Sequence, residues 1–90
     1  MTYIEDKNEL NKKICEFIKA RFFSPYKLNG EETSLNKYAK ACNLSSSTIS
    51  KIKDAEGYNI PISTIYAICN VENLSLNLFF EEFENQMKKS

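Results

Sequence analysis

Apolar positions along the chain recur with helical spacing in five separate stretches. From Glu9 to Phe23 they are Leu10, Ile14, Phe17, Ile18 and Phe22, which share one helix face, with lysines and Glu16 opposite. Ser24-Pro25 ends this helix, because proline disfavours helical backbone in the residue before it. Residues 27–33, with Gly30, read as a polar loop. Ser34 caps a second helix from Leu35 to Cys42, with Leu35, Tyr38, Ala39 and Cys42 inward. Asn43 tolerates positive φ, so Asn43-Leu44 turns the chain. Ser45 then caps a third helix, Ser46 to Asp54, whose two apolar residues, Ile49 and Ile52, face the core. A loop with Gly57 leads to a fourth helix, Ile60 to Val71, entered at Pro61. Its dense set of Ile62, Ile65, Tyr66, Ile68 and Cys69 predicts a central helix. Asn73-Leu74 repeats the earlier turn, and Ser75 caps a fifth helix with Leu76, Phe79, Phe80 and Phe83 inward. Fraying is expected at about 1–8 and 85–90. The pattern predicts one all-α domain over residues 1–90, five short helices on a common core.

Composition agrees and narrows the chemistry. Ninety residues leave room for one core. Two Gly and two Pro are too few for turn-rich β architectures. No apolar run approaches a membrane span, and the polar, acidic start Met1-Thr2-Tyr3-Ile4-Glu5-Asp6 is unlike a secretory signal, so a cytoplasmic protein is expected. Three cysteines, Cys15, Cys42 and Cys69, lie among apolar helix residues and read as small buried hydrophobes. An odd count argues against a disulfide framework. With no histidine and no C-x-x-C pair, a four-ligand Cys/His zinc site is not expected. The same lack excludes Ser-His and Cys-His nucleophile pairs, and there is no Gly-rich phosphate loop. Glu81, Glu82 and Glu84 read as a solvated helix face rather than paired catalytic carboxylates. A non-enzyme without metal or cofactor is expected.

Twelve basic residues balance twelve acidic ones, and zero net charge taken alone argues against a polyanion partner. Divided along the chain, the balance dissolves. Residues 1–33 are neutral, residues 34–54 carry four lysines against Asp54, and residues 55–90 carry five glutamates against two lysines. A basic helix pair therefore precedes an acidic C-terminal half, a split that would orient the molecule on a polyanion.

The helix pair has a spacing with physical meaning. Ala39 allows two helices to cross closely, Asn43 supplies the turn, Leu44 plugs it, and Ile49 and Ile52 pin the second helix with its polar face outside. This stretch, SLNKYAKACNLSSSTISKIKD at 34–54, resembles the helix-turn-helix of Cro/C1-type (XRE family) DNA-binding domains of bacterial and phage repressors. IPISTIYAICNVENLSLNLFF at 60–80 is similar to the last two helices of that family, and with the first helix the resemblance covers roughly three-quarters of the chain. It implies a compact five-helix, lambda-repressor-like fold that binds double-stranded DNA as a transcriptional regulator, most simply a repressor. The family's base-reading positions fall on Ser46, Ser47, Ser50 and Lys51. Hydroxyls donate or accept, and lysine suits guanine O6 and N7. The plainer reading of these residues is a solvated helix face with a serine capping run, and Thr48 fits the cap better than a base. Ser34, Asn36 and Lys37 stand where a helix N-terminus attracts phosphate, and Lys40 and Lys53 add charge. Ordinary surface lysines are the alternative.

Three features depart from the family. Leu35 stands where a phosphate-anchoring glutamine is frequent. The loop Asp54-Ala55-Glu56-Gly57-Tyr58-Asn59 is acidic where the family is often basic. Residues 24–33 are longer than the usual connection; Lys27 would touch DNA, or the insertion is simply tolerated at the surface. Family members commonly bind as dimers, and Leu78, Phe83 and Met87 extend an apolar stripe that would serve a homodimer. A different use of the same fold is a protein-binding module, such as an antitoxin-like or anti-repressor partner, engaged through the acidic C-terminal side.

Overall fold

The structure, a computed structural model, describes residues 6–88. Among them are five α-helices: α1 (Lys7–Phe22), α2 (Leu35–Ala41), α3 (Ser46–Asp54), α4 (Ile62–Val71) and α5 (Leu76–Lys88). Between α1 and α2 lies a short hairpin of β1 (Lys27–Leu28) and β2 (Glu31–Glu32). The chain is thus mostly helical, as the apolar spacing predicts, with one β element that it does not.

The hairpin corrects the polar-loop reading of 27–33. Asn29 and Gly30 both take positive φ, 53° and 83°, the conformation a two-residue hairpin turn demands. The strands pair antiparallel with Lys27 opposite Glu32 and Leu28 opposite Glu31, and Thr33 N–H closes onto the Tyr26 carbonyl at 2.9 Å. Phe23 and Tyr26 at its base are core residues. Their rings lie 5.0 Å apart, and each lies 5.5 Å from the ring of Tyr38. Aromatic packing therefore holds the insertion against α2.

Helix ends follow local chemistry. Asp6 caps α1 by accepting from Asn8 N–H, so α1 starts two residues before the expected Glu9. Asn43 and Asn73 take φ of 60° and 56°. After each, a leucine N–H reaches back to the sixth-last carbonyl, Leu44 to Ala39 and Leu74 to Cys69, both at 2.9 Å. These are paired Schellman endings with asparagine in the left-handed position. Ser75 accepts from Leu78 N–H at 3.1 Å to open α5. α5 then runs through 85–88, and Lys7 and Asn8 are helical, where fraying was expected. The expected fraying at 1–5 and 89–90 lies outside the described residues.

One continuous core draws Ile14, Cys15, Ile18 and Phe22 from α1, Ile49 and Ile52 from α3, Ile65, Ile68 and Cys69 from α4, and Phe79 and Phe83 from α5. All three cysteines are buried free thiols. Leu10 is exposed, and Asn11 takes the buried place beside Ile14. Ile62 and Tyr66, expected in the centre, are 58% and 57% exposed, because α4 turns Thr64, Ile65, Ile68 and Cys69 inward instead. Phe83, expected at a dimer surface, is buried edge-on to Phe17 at 5.6 Å. Met87 packs half-buried on the core edge, so of that stripe Leu78 alone is broadly exposed.

Tyr38 is the largest fully buried side chain, and its hydroxyl donates to Glu72 Oε2 at 2.5 Å. Burial, then the bond to Glu72, holds its phenol well above the ordinary range near 10.0. Burial and the neighbouring Glu72 charge push the Cys42 thiol up to about 11 from 9.0. Both groups stay neutral in the fold while the unfolded chain ionises. Their stability contribution is full below about pH 9 and is lost as pH rises toward the raised values. The urea midpoint is expected to be flat from about pH 7 to 8.5 and to fall above about pH 9.5. The Tyr26 hydroxyl is buried with no partner among the described residues. Urea melts should therefore show Tyr38→Phe costing about 1–3 kcal/mol and Tyr26→Phe neutral or stabilising by up to about 1 kcal/mol.

Candidate nucleic-acid interface

The candidate site is the outer surface of α2 and α3. Three observations explain why it is polar and outward. Ala39 is 1% exposed at the crossing, which brings the helices close. Ile49 and Ile52 are fully buried and are the two anchors of α3. Leu44 is half-buried in the turn and packs on the core. The remaining α3 side chains have nowhere to go but the surface.

Serine chemistry organises the two N-termini. Ser34 accepts from Lys37 N–H at 3.2 Å, and Ser45 accepts from Thr48 N–H at 3.1 Å. The Ser45 hydroxyl also lies 2.8 Å from Thr48 Oγ1 and 3.2 Å from Ser47 Oγ. Thr48 thus joins the cap network. Between helices, Ser46 Oγ donates to Asn36 Oδ1 at 2.6 Å. This bond locks the start of α3 to the start of α2, and Asn36 Nδ2 remains available as a second donor beside it. Its geometry links a residue expected at a base with one expected at a phosphate. The pairing was not legible in sequence, since the two residues are ten apart and meet only through the helix crossing.

The other expected positions divide clearly. Ser47 and Lys51 are exposed, and Ser46 and Ser50 are half-exposed on the same helix. Ser34, Lys37, Lys40 and Lys53 are exposed, and none of the three lysines enters an ion pair among the described residues. Lys51 is the exception to a freely solvated face. Its ammonium sits 5.8 Å from the Tyr58 ring centroid, at the outer edge of cation–π range. Tyr58 belongs to the acidic 54–59 loop and was missed in the sequence reading. Its half-buried ring is held by α1, where Cys15 Sγ–H donates to the Tyr58 carbonyl at 3.8 Å. The residue after α3, Ala55, takes the left-handed conformation with φ of 52°, which turns Asp54 and Glu56 out to solvent at the helix end.

Lys27 is exposed on β1. A separate groove of about 400 Å³ runs between α1 and α5, lined by Lys13, Phe17, Ala20, Phe83 and Met87 among others. Its lining includes no residue of α2 or α3. The Arg21–Glu82 ion pair at 3.0 Å bridges the same two helices in solvent, where such pairs contribute little. Among the described residues no cluster of Cys, Asp and Glu is grouped to hold a metal ion, and no helix is long and apolar enough to cross a membrane.

The chain matches no family model, no curated protein and no solved structure.

The Ser45 cap is the local constraint most easily tested. Ser45→Ala should lower stability by about 1 kcal/mol, as a lost N-cap does. A circular-dichroism melt should show the lower midpoint, and Ser45→Asp should restore it.

Proposed function

We propose that this chain is a sequence-specific double-stranded DNA-binding regulator with a Cro/C1-type helix-turn-helix at residues 34–54, most simply a repressor. The observation that carries the reading is the division of α3: Ile49 and Ile52 take up its whole inward face, leaving hydroxyls and lysines outward on a close-packed helix pair. In this reading α3 lies in the major groove. Ser46, Ser47, Ser50 and Lys51 meet base edges there. Ser34, Asn36, Lys37, Lys40 and Lys53 meet phosphates, and Asn36 also orients Ser46 through their 2.6 Å bond. That pair offers a polar clamp between the helices although Leu35 lacks the family's glutamine. The acidic turn at Asp54 and Glu56 keeps affinity modest, and the acidic C-terminal half faces away from the phosphates.

The test begins by selecting a binding sequence from random duplexes, then measures affinity by fluorescence anisotropy against salt. Three phosphate-contacting lysines predict a log–log salt slope near −3 per chain. Ser47→Ala and Lys51→Ala should each weaken the selected site by about 1–3 kcal/mol while changing random-DNA binding less. Lys40→Ala should weaken both alike and make the slope shallower by about one. Enrichment of no sequence, or base-position variants that bind the selected site like the wild type, removes the reading. Stoichiometric co-purification of another protein with no retention on heparin would favour the protein-binding module, whose acidic surface of Glu81 and Glu84 is exposed on α5.

A further inference from the structure

The exposed face of α4 is unlike the rest of the surface. From Gly57 to Val71 no residue is charged, in a chain where 27% of residues are. Ile62 and Tyr66, the two most exposed large hydrophobic residues, lie one turn apart on this helix at 58% and 57% exposure. Asn70 continues the same line, and Pro61 and Ser63 flank its start, all exposed. The inward face is already filled by Thr64, Ile65, Ile68 and Cys69, so rotation of α4 cannot hide Ile62 and Tyr66. A tyrosine and an isoleucine in a charge-free surround have the composition of an interface centre, where charged residues are depleted and aromatics enriched.

We infer that this face is the contact between two copies of the chain, through Ile62 and Tyr66, in a weak two-fold dimer. Charge selects the occupant. A copy approaching the α2–α3 surface meets like positive charge from Lys37, Lys40, Lys51 and Lys53, and one approaching α5 meets like negative charge from Glu81, Glu82 and Glu84. The α4 face opposes no like charges when it meets itself, as a two-fold contact requires. It offers no charge to a nucleic acid or to a strongly acidic or basic protein. Its complement is an uncharged apolar face, and α4 of a second copy is one. Two side chains and their flanks supply a few hundred Å² per copy, against about 800 Å² in a stable complex, so the dimer dissociates in the high-micromolar range. The interface differs from the expected stripe of Leu78, Phe83 and Met87, of which Phe83 is committed to the core.

The contact does not depend on DNA, and its test uses DNA-free protein. Sedimentation equilibrium from about 10 µM to 1 mM should show monomer passing to dimer. Ile62→Glu and Tyr66→Lys should each raise the dissociation constant at least tenfold, with helicity and melting temperature kept because both residues are exposed. Leu10→Glu, a matched change on α1, should leave it unaltered. In the wild type, the amide and methyl signals of α4 should shift on dilution while those of α2 do not. A wild-type monomer throughout, a dimer that survives both α4 substitutions, or α4 signals that stay fixed on dilution overturns the inference. So does an equal loss in Leu10→Glu, and so does a different protein that binds the α4 face while the chain itself stays monomeric.

Discussion

The arrangement depends on the burial of Tyr38. A phenol taken wholly out of water stabilises the fold only if its hydroxyl finds a partner, and Glu72, at the end of α4, is that partner. One bond thereby ties α2 to the turn between α4 and α5. The same ring is the surface on which Phe23 and Tyr26 pack, so it also seats the hairpin. With α2 held on two sides, α3 needs little of its own. Ile49, Ile52 and the close crossing at Ala39 suffice, and the rest of α3 is released to solvent.

Charge is distributed to match. Lysines gather on the α2–α3 surface, glutamates on α5, and α4 between them exposes neither sign. Three surfaces of different chemistry on ninety residues suit three different neighbours: a polyanion, solvent and an apolar face. The Ser46–Asn36 bond and the Lys51–Tyr58 contact show how the basic surface is ordered before anything binds, since side chains already held lose less entropy on association.

Much of the fold was legible because its signals are local. Caps at Ser34, Ser45 and Ser75, and left-handed turns at Asn43 and Asn73, act within four or five residues and fall where the side-chain chemistry demands. The hairpin was also locally encoded, in Asn29-Gly30, but its two-residue strands are too short to show alternation. The candidate site was legible residue by residue and illegible as a constellation. Nothing near Ser46 in the chain specifies Asn36, and nothing near Lys51 specifies that Tyr58 turns toward it.

The sequence by itself determined which segments are helices, where they stop, and that α3 has a two-residue apolar anchor and a polar remainder. These follow from spacing and from capping bonds closed within a turn. Tertiary structure alone decided which of several apolar residues on one helix are buried. α4 carries apolar side chains over more than half its circumference, and packing against one side of a core can cover only part of that. Ile65, Ile68 and Cys69 are covered, and Ile62 and Tyr66 are left outside. Phe83 went the other way, drawn inward by the rings of Phe17 and Phe79 rather than outward to a partner. Periodicity reports that a face is apolar, but which arc of it meets the core depends on where the other helices stand.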